Sequence, residues 1–224
     1  MLISRRQLLT SSAIGLASSM FGLACVRRAD SFPCDLTPEQ TEGPFYPVDR
    51  QLDEDNDLTV VSGKPGRAEG QIIYIRGQIL DGHCRPVQGT TVEIWQATAR
   101  GRYNHPRERR NSVPLDLNFQ SWGRAVTDQE GQYLFKTVIP GQYPAGRGWI
   151  RPSHVHFKVV GSTHHELTTQ MYFVGDRYLE SDFIFQNVPR AERYRVMVER
   201  QDPGSEFEPE TGLYNFDLTV RPTT

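Results

Sequence analysis

The sequence lacks the features that mark several common classes of protein. Its 224 residues carry a formal net charge of −2, so no basic excess points to a nucleic-acid partner. No run of about 18 apolar residues is present, and a membrane-spanning helix is not expected. There is also no glycine-rich phosphate loop, G-x-S-x-G turn, C-x-x-C pair or H-E-x-x-H helix, which removes the signatures of P-loop nucleotide binders, α/β-hydrolases and zincin proteases.

Cysteine is scarce and odd in number, with only Cys25, Cys34 and Cys84. An odd count leaves at least one thiol without an internal partner. If Cys25 is modified by a lipid, Cys34 and Cys84 remain as a candidate disulfide in an oxidising compartment. The sequence does not establish that these two residues meet.

The first 24 residues predict an export signal. Arg5 and Arg6 precede an apolar stretch that ends in small residues before Cys25, the usual order of a cleaved leader. The segment "SRRQLL" resembles a twin-arginine signal, and an ordinary Sec leader is the alternative. "GLAC" fits either cleavage after Ala24 or a lipoprotein site with a lipid anchor on Cys25, so we expect an exported, periplasmic or extracytoplasmic protein.

After the leader, the sequence predicts an all-β protein. Residues 25–70 are expected to form an extended segment and loop, and residues 71–224 a single β-sandwich domain. Short runs rich in β-branched and aromatic residues, bounded by turn formers, predict strands, at residues 71–80, 90–98, 131–139, 153–161, 166–175, 193–199 and 213–220. Long loops are expected at 35–70, 99–122 and 140–152, and loops of such length are often functional.

A pair of histidines supplies the first candidate site. In "SHVHF", His154 and His156 point to the same face of a strand, from which both imidazoles can reach one metal ion. Tyr103 in "GRYNHP" and Tyr143 in "PGQYP" lie in the long loops. Two phenolates and two imidazoles form a donor set that suits Fe(III) better than Zn(II). Taken alone, the histidine pair also fits a zinc site or ordinary core or surface histidines. Each tyrosine, taken singly, also fits a loop aromatic that packs on the sandwich.

Five segments together resemble the intradiol ring-cleavage dioxygenases, and within that family the iron-binding chains of the protocatechuate 3,4-dioxygenases. They are "TPEQTEGPFYP" (37–47), "RPVQGTTVEIWQATARGRYNH" (85–105), "PLDLNFQSWGRAVTDQEGQYLFKTVIPGQYP" (114–144), "WIRPSHVHFKV" (149–159) and "TTQMYFVGD" (168–176). The resemblance covers nearly all of the chain from about residue 37 onward.

The resemblance implies a β-sandwich with one non-haem Fe(III) per active site. Tyr103 and His156 match the family's equatorial ligands, and Tyr143 and His154 match its axial ligands. Three further positions match family residues near the substrate or the metal. By this match, Arg151 faces the ring that is cleaved, Gln170 lies on the opposite wall, and Trp95 packs near the metal. Trp149 is a further candidate for the substrate pocket.

The implied reaction is cleavage of a catechol-type ring between its two hydroxyls with O2, which gives a cis,cis-muconate-type diacid. Tyr143 is expected to accept a substrate proton, and Arg151 to stabilise charge that builds on the ring. The substrate is protocatechuate or another catechol, and the loop "PAGRGWIRPS" is shorter than in the protocatechuate enzymes. Those enzymes pair an iron chain with a related chain, so a homo-oligomer or hetero-oligomer is expected.

Two alternatives stay open at this point. The first is an exported, non-catalytic sandwich that binds iron or a catechol ligand through the same residues. The second is a transthyretin-like structural module without iron.

Overall fold

The computed structural model describes residues 33–48, 53–109 and 111–223. The predicted export signal and Cys25 lie outside the described residues, and no feature of the fold bears on them. In the described part, the chain is almost entirely β-structure.

The described residues form eleven strands, one short α-helix and three 3-10 helices. The strands are β1 (Ile72–Asp81), β2 (Thr91–Trp95), β3 (Trp122–Val126), β4 (Gln132–Val138), β5 (Tyr143–Gly146), β6 (Trp149–Arg151), β7 (His154–Val160), β8 (Leu167–Phe173), β9 (Met197–Val198), β10 (Gly212–Asn215) and β11 (Leu218–Val220). The α-helix, α1, spans Phe183–Gln186, and the 3-10 helices span Pro106–Glu108, Leu179–Ser181 and Arg190–Arg195.

Two main sheets make up the fold. The first is built around β1, which pairs antiparallel with β4 on one side and parallel with β10 and then β11 on the other. The second has the strand order β3-β2-β7-β8-β9, antiparallel except for the parallel pair β8 and β9. Strands β5 and β6 form a separate two-stranded hairpin, which leads directly into β7.

The core lies between the two main sheets. Val155 and Phe157 of β7 belong to the same buried cluster as Ile73 and Ile75 of β1. Because side chains alternate along a strand, the residues between them in β7 point to the other face. The apolar face therefore anchors β7 in the core and leaves the histidine face for the site.

The all-β sandwich prediction is confirmed, but several boundaries differ. The predicted strand at 193–199 is a strand only at Met197–Val198, because Arg190–Arg195 forms a 3-10 helix. In this helix, Tyr194 is exposed and Arg195 forms an ion pair with Asp35. The predicted strand at 213–220 is two strands, since the chain leaves β1 at Phe216 and Asp217, where the Asp217 carboxylate accepts the Gln78 N–H.

Two predicted loops also contain strands. Residues 140–152 hold the β5–β6 hairpin, and β3 begins at the end of the predicted loop 99–122. The hairpin was missed because "YPAGRGWIR" has proline and glycine inside it, which normally argue against strands. In the described part of 35–70, the backbone forms turns and one isolated bridge, between Asp57 and Lys136.

Cys34 and Cys84 form a disulfide, with a distance of 5.3 Å between their Cα atoms. The bond joins the N-terminal segment to the turn that follows β1. The candidate pairing considered from the cysteine count is therefore present in the structure.

Candidate metal centre

The two histidines of β7 form the floor of the site. His154 and His156 are almost fully buried, and their ring centroids lie 5.0 Å apart. Trp95 of β2, which is opposite His156 in the sheet, stacks on that imidazole with a centroid distance of 4.7 Å. The indole therefore fixes the plane of one imidazole and excludes water from that side.

The two tyrosines reach the same place from different loops. Tyr103 follows β2, and its hydroxyl oxygen lies 3.4 Å from His154 Nε2. The ring centroid of Tyr143, at the start of β5, lies 5.5 Å from that of Tyr103 and 5.7 Å from that of His154. The structure thus brings all four predicted metal ligands into one buried cluster.

Gly101 allows the two tyrosine loops to pack directly on each other. Its φ of +76° is in the region that favours glycine, and a Cβ at this position would collide with the carbonyl oxygen of Gln142. Gln142 immediately precedes Tyr143. A side chain at residue 101 would therefore push the two phenols apart.

The hydrogen bonds of the histidines suit metal binding. His154 Nδ1 lies 2.6 Å from the Pro152 carbonyl oxygen, and because a carbonyl only accepts, Nδ1 carries the proton and Nε2 keeps its lone pair on the Tyr103 side. The buried Nδ1 of His156 has no hydrogen-bond partner. A buried imidazole nitrogen without a partner is costly in an empty protein, which fits a site that a further group completes.

The electrostatics of the cluster bear on which kind of ion its side chains could hold. Burial, and secondarily the positive charge of Arg151, lowers the pKa of both histidines, so the imidazoles are neutral and able to bind a cation. Burial raises the pKa of Tyr103 and Tyr143, so the phenols ionise only beside a strongly positive ion. No group of three or more His, Cys, Asp or Glu side chains suited to a metal occurs among the described residues. The donor set therefore fits Fe(III) rather than a carboxylate or thiolate site.

Arg151 lies beside the cluster and is held rigidly. It is opposite Tyr143 in the β5–β6 hairpin, and its side chain is buried. Its Nε donates to Asp182 Oδ2 at 2.8 Å, and a terminal nitrogen donates to Gln170 Oε1 at 2.6 Å. Burial opposes its charge, but the phenol of Tyr143 and the Asp182 carboxylate raise its pKa. The guanidinium is thus a fixed positive charge next to the ligands.

Asp182 is a component that was not predicted from the sequence. It is fully buried, and it accepts from Arg151, from Trp149 Nε1 at 3.1 Å and from the Phe185 N–H at 2.8 Å. The pattern "DFIF" contains an N-cap signal for a short helix, but nothing in the local sequence indicates an ion pair with a residue 31 positions earlier. Trp149 contacts this ion pair, with the Arg151 guanidinium 5.8 Å from the indole centroid.

A segment that we call the N-terminal strap, residues 37–46, forms another wall of the site. The Thr41 carbonyl accepts from Gln170 Nε2 at 3.0 Å. A Cβ placed on Gly43 would lie 3.5 Å from His156 Cε1. Phe45 stacks on Tyr103 with a centroid distance of 4.5 Å. The strap therefore lies against two of the four ligand candidates, His156 and Tyr103.

Comparison with known proteins identifies the family. A family model described as Dioxygenase matches residues 41–222. The protocatechuate 3,4-dioxygenase beta chain of Burkholderia cepacia is 39% identical over 203 residues, which cover 88% of this chain and 85% of that protein. The chain belongs to the intradiol ring-cleavage dioxygenase family. The predicted resemblance is confirmed.

More distant members of the family differ in length, and some are longer than this chain. The catechol 1,2-dioxygenase of Pseudomonas sp. (strain EST1001) is 28% identical over 193 residues, or 71% of this chain and 59% of that one. Among solved structures, the dioxygenase domain of a dioxygenase and carbohydrate-binding fusion from Streptomyces sp. SirexAA-E is 25% identical, with a TM-score of 0.62 over 84% of this chain and 100% of that one. The 3-chlorocatechol 1,2-dioxygenase of Rhodococcus opacus 1CP, 20% identical, has a TM-score of 0.65 over 84% and 73% of the two chains and shows the shared fold.

Proposed function

We propose that the protein is an exported non-haem Fe(III)-dependent dioxygenase that cleaves a catechol-type ring between its two hydroxyls with O2. The observation that carries the proposal is the convergence of Tyr103, Tyr143, His154 and His156 in one buried cluster beside a fixed arginine. A sandwich with only a structural role has no need of two phenols and two neutral imidazoles at one point.

In this proposal, the four clustered side chains hold Fe(III). When bound, the ion supplies a centre that chelates the substrate as a catecholate and makes its ring reactive toward O2. In the overall reaction, a catechol and O2 give a diacid that contains both atoms of the O2 molecule. No external reductant is required, which suits an enzyme outside the cytoplasm.

The side chains of this protein manage protons and charge. The Tyr143 phenolate oxygen is a base that can accept a proton from a substrate hydroxyl, and Tyr143 lies opposite Arg151 in the hairpin. Arg151 presents its charge where negative charge builds on the ring. Gln170 orients Arg151 through its Oε1 and is itself held by the strap.

The surroundings of the ligand cluster support an aromatic diol as substrate. Trp95, Tyr103 and Tyr143 belong to one aromatic cluster, whose flat faces suit a planar ring. The relation to the Burkholderia beta chain makes protocatechuate a candidate, whereas the short β5–β6 hairpin differs from the longer loop of the protocatechuate enzymes. We also propose assembly into a homo-oligomer or with a related chain, on the ground that the Burkholderia relative is named a beta chain.

Oxygen consumption with a panel of catechols tests this function. The iron-loaded protein is expected to consume one O2 per molecule of catechol or a substituted catechol, and mass spectrometry with 18O2 should find both labelled atoms in a muconate-type diacid. A coloured iron protein that binds catechols without turnover would favour the non-catalytic binding module. A protein that takes up no iron would favour the transthyretin-like structural module.

Export is proposed for a separate reason. The Cys34–Cys84 disulfide is expected to persist only in an oxidising compartment, and the twin-arginine-like leader supplies a route for a protein that folds and acquires its metal before export. No described helix has the length and apolar character needed to cross a membrane. A lipid on Cys25 is the proposed means of attachment if the protein is membrane-associated.

A further inference from the structure

The N-terminal strap is fastened to the sheet by polar contacts that the proposed chemistry does not use. On the site face of the second sheet, Trp95, His156 and Gln170 form one row across β2, β7 and β8. Two residues further along the strands, the next row on the same face begins with Glu93 and Lys158. The first row belongs to the site, and the second row reaches the strap.

Glu42 and Tyr46 make the contacts with the second row. The Tyr46 hydroxyl donates to Glu93 Oε2 at 2.7 Å, and Lys158 Nζ lies 3.2 Å from Glu42 Oε2. The Lys158 ammonium also lies 4.8 Å from the centroid of the Tyr46 ring, within cation–π range. We call these contacts the latch.

The latch residues flank the strap residues that contact the site. Gly43 and Phe45 face His156 and Tyr103, and Tyr46 also packs edge-on against Trp95 at 5.0 Å. Besides the latch, the strap is held by backbone bonds at Thr37 and Gln40, by the bond from Gln170 to the Thr41 carbonyl and by the stacking of Phe45 on Tyr103. The latch adds the contacts of Glu42 and Tyr46, which lie on either side of Gly43 and Phe45 in the chain, so these contacts are suited to set how closely those two residues approach the ligands.

We propose that Glu42 and Tyr46 are positioning residues, which hold the strap against His156, Tyr103 and Gln170 and so set the wall of the substrate pocket. The inference rests on the proposed function of this site, and adds a role to two residues that touch neither the ligands' donor atoms nor Arg151. Loosening the latch should displace Phe45 and Gly43 from the ligands without removing any ligand.

Lys158 provides a matched control, because it has a second carboxylate partner outside the strap. Glu166 Oε1 lies 3.1 Å from Lys158 Nζ, and its side chain is about as exposed as that of Glu42, at 52% against 42%. Glu166→Gln removes one ion pair from Lys158 and leaves the strap fastened. The double variant Glu42→Gln/Tyr46→Phe removes both latch bonds while keeping both side-chain shapes.

Hydrogen exchange of the metal-free proteins tests the latch itself. Peptides that cover the strap should exchange at least about threefold faster in the double variant than in wild type, as expected from the loss of one ion pair and one hydrogen bond to a carboxylate. In Glu166→Gln, exchange should stay within about twofold of wild type. Equal exchange rates in the double variant and Glu166→Gln would show that the latch contacts do not hold the strap in place.

Spectra and kinetics of the iron-loaded proteins test the positioning. The double variant should shift the phenolate-to-iron absorption band and raise the KM for catechol at least about threefold, with a smaller change in kcat, while Glu166→Gln matches wild type. A faster-exchanging strap with an unchanged band and KM would overturn the positioning role. If the wild-type protein takes up no iron, the proposed function is wrong. The difference in hydrogen exchange between the double variant and Glu166→Gln then still tests whether the latch holds the strap.

Discussion

Tyr143 and Tyr103 have the same chemistry but different surroundings, and the difference supports distinct roles. Tyr103 is 2% exposed and is covered by the ring of Phe45, whereas Tyr143 is 8% exposed and lies in the β5–β6 hairpin beside Arg151. A covered phenol suits a permanent ligand. A phenol that is less covered and lies in a hairpin beside a positive charge, which favours its ionised form, suits an exchangeable ligand.

We therefore expect Tyr143→Phe to retain iron with a shifted colour, because three donors remain, and to lose most turnover. Catechol should bind in a slower or incomplete step, since the variant has no phenolate to accept a substrate proton. Tyr103→Phe should instead weaken iron binding. Anaerobic stopped-flow spectra measure this, and a normal rate of catechol binding in Tyr143→Phe would refute the proton-accepting role.

Arg151 is expected to stabilise the negative charge that develops on the substrate ring, and not to bind the metal. Arg151→Ala should keep iron and colour but lower kcat by about 100- to 1,000-fold, the usual cost of one such electrostatic contact. Arg151→Lys should recover only part of the rate, because an ammonium cannot bond both Asp182 and Gln170 in the geometry of the guanidinium. Steady-state kinetics and iron analysis decide this, and loss of iron from both variants would show that Arg151 is structural.

At the scale of elements, the site depends on how closely the two tyrosine loops pack. Gly101 and Gly89 have nearly equal φ angles, +76° and +72°, but only Gly101 touches a neighbouring loop, since nothing lies within 4 Å of a Cβ placed on Gly89. Substitutions at these two positions therefore separate the free-energy cost of a positive φ from the cost of a collision with a neighbouring loop.

Gly89→Ala should cost about 1 to 2 kcal/mol of unfolding free energy from the positive φ alone. Gly101→Ala should cost about 1 to 3 kcal/mol more, because the new methyl group meets the Gln142 carbonyl. It should also lower the iron content, since Tyr143 would move. Urea unfolding and metal analysis of both variants test this, and equal effects would mean that the loop contact is unimportant.

Most strands of the two main sheets and the four ligand candidates could be predicted from the sequence because their signals are local, whereas β3 and the proline- and glycine-containing β5–β6 hairpin were missed. His154 and His156 follow the two-residue period of a strand, and the apolar residues between them mark its buried face. The parts that were missed depend on contacts between distant segments. Asp182 meets Arg151 only after α1 folds back on the hairpin, and Glu42 lies 116 residues from Lys158, so no local pattern could indicate either pair.

At the scale of the whole molecule, the disulfide ties the N-terminal segment to the first sheet. Cys34 and Cys84 are 50 residues apart in sequence, and a cross-link that closes a loop of this length stabilises a protein by up to about 4 kcal/mol in the chain-entropy account. Cys34→Ser/Cys84→Ser should therefore unfold at a lower temperature. Iron binding at 25 °C should persist, because backbone bonds at Thr37 and Gln40 still hold the strap.

Calorimetry of the oxidised protein and the double-serine variant measures that difference. The reduced wild-type protein is the control, and it should match the variant. Equal unfolding temperatures for the oxidised protein and the variant would show that the bond contributes little to stability.

The export route concerns residues outside the described structure and stays a prediction. Replacement of Arg5 and Arg6 together by Lys should leave the precursor in the cytoplasm, because the twin-arginine pathway requires the arginine pair. Cell fractionation followed by immunoblotting measures this. Normal export of the double-lysine protein would favour the Sec leader.

The central claim is that two tyrosines and two histidines of this protein hold Fe(III), and the visible spectrum of the pure protein, measured together with its metal content, tests it most directly. We expect about one iron per chain and a coloured protein whose phenolate-to-iron absorption band shifts in Tyr143→Phe and is lost or strongly reduced in Tyr103→Phe. A colourless protein that contains zinc, with a spectrum unchanged by either substitution, would contradict the account.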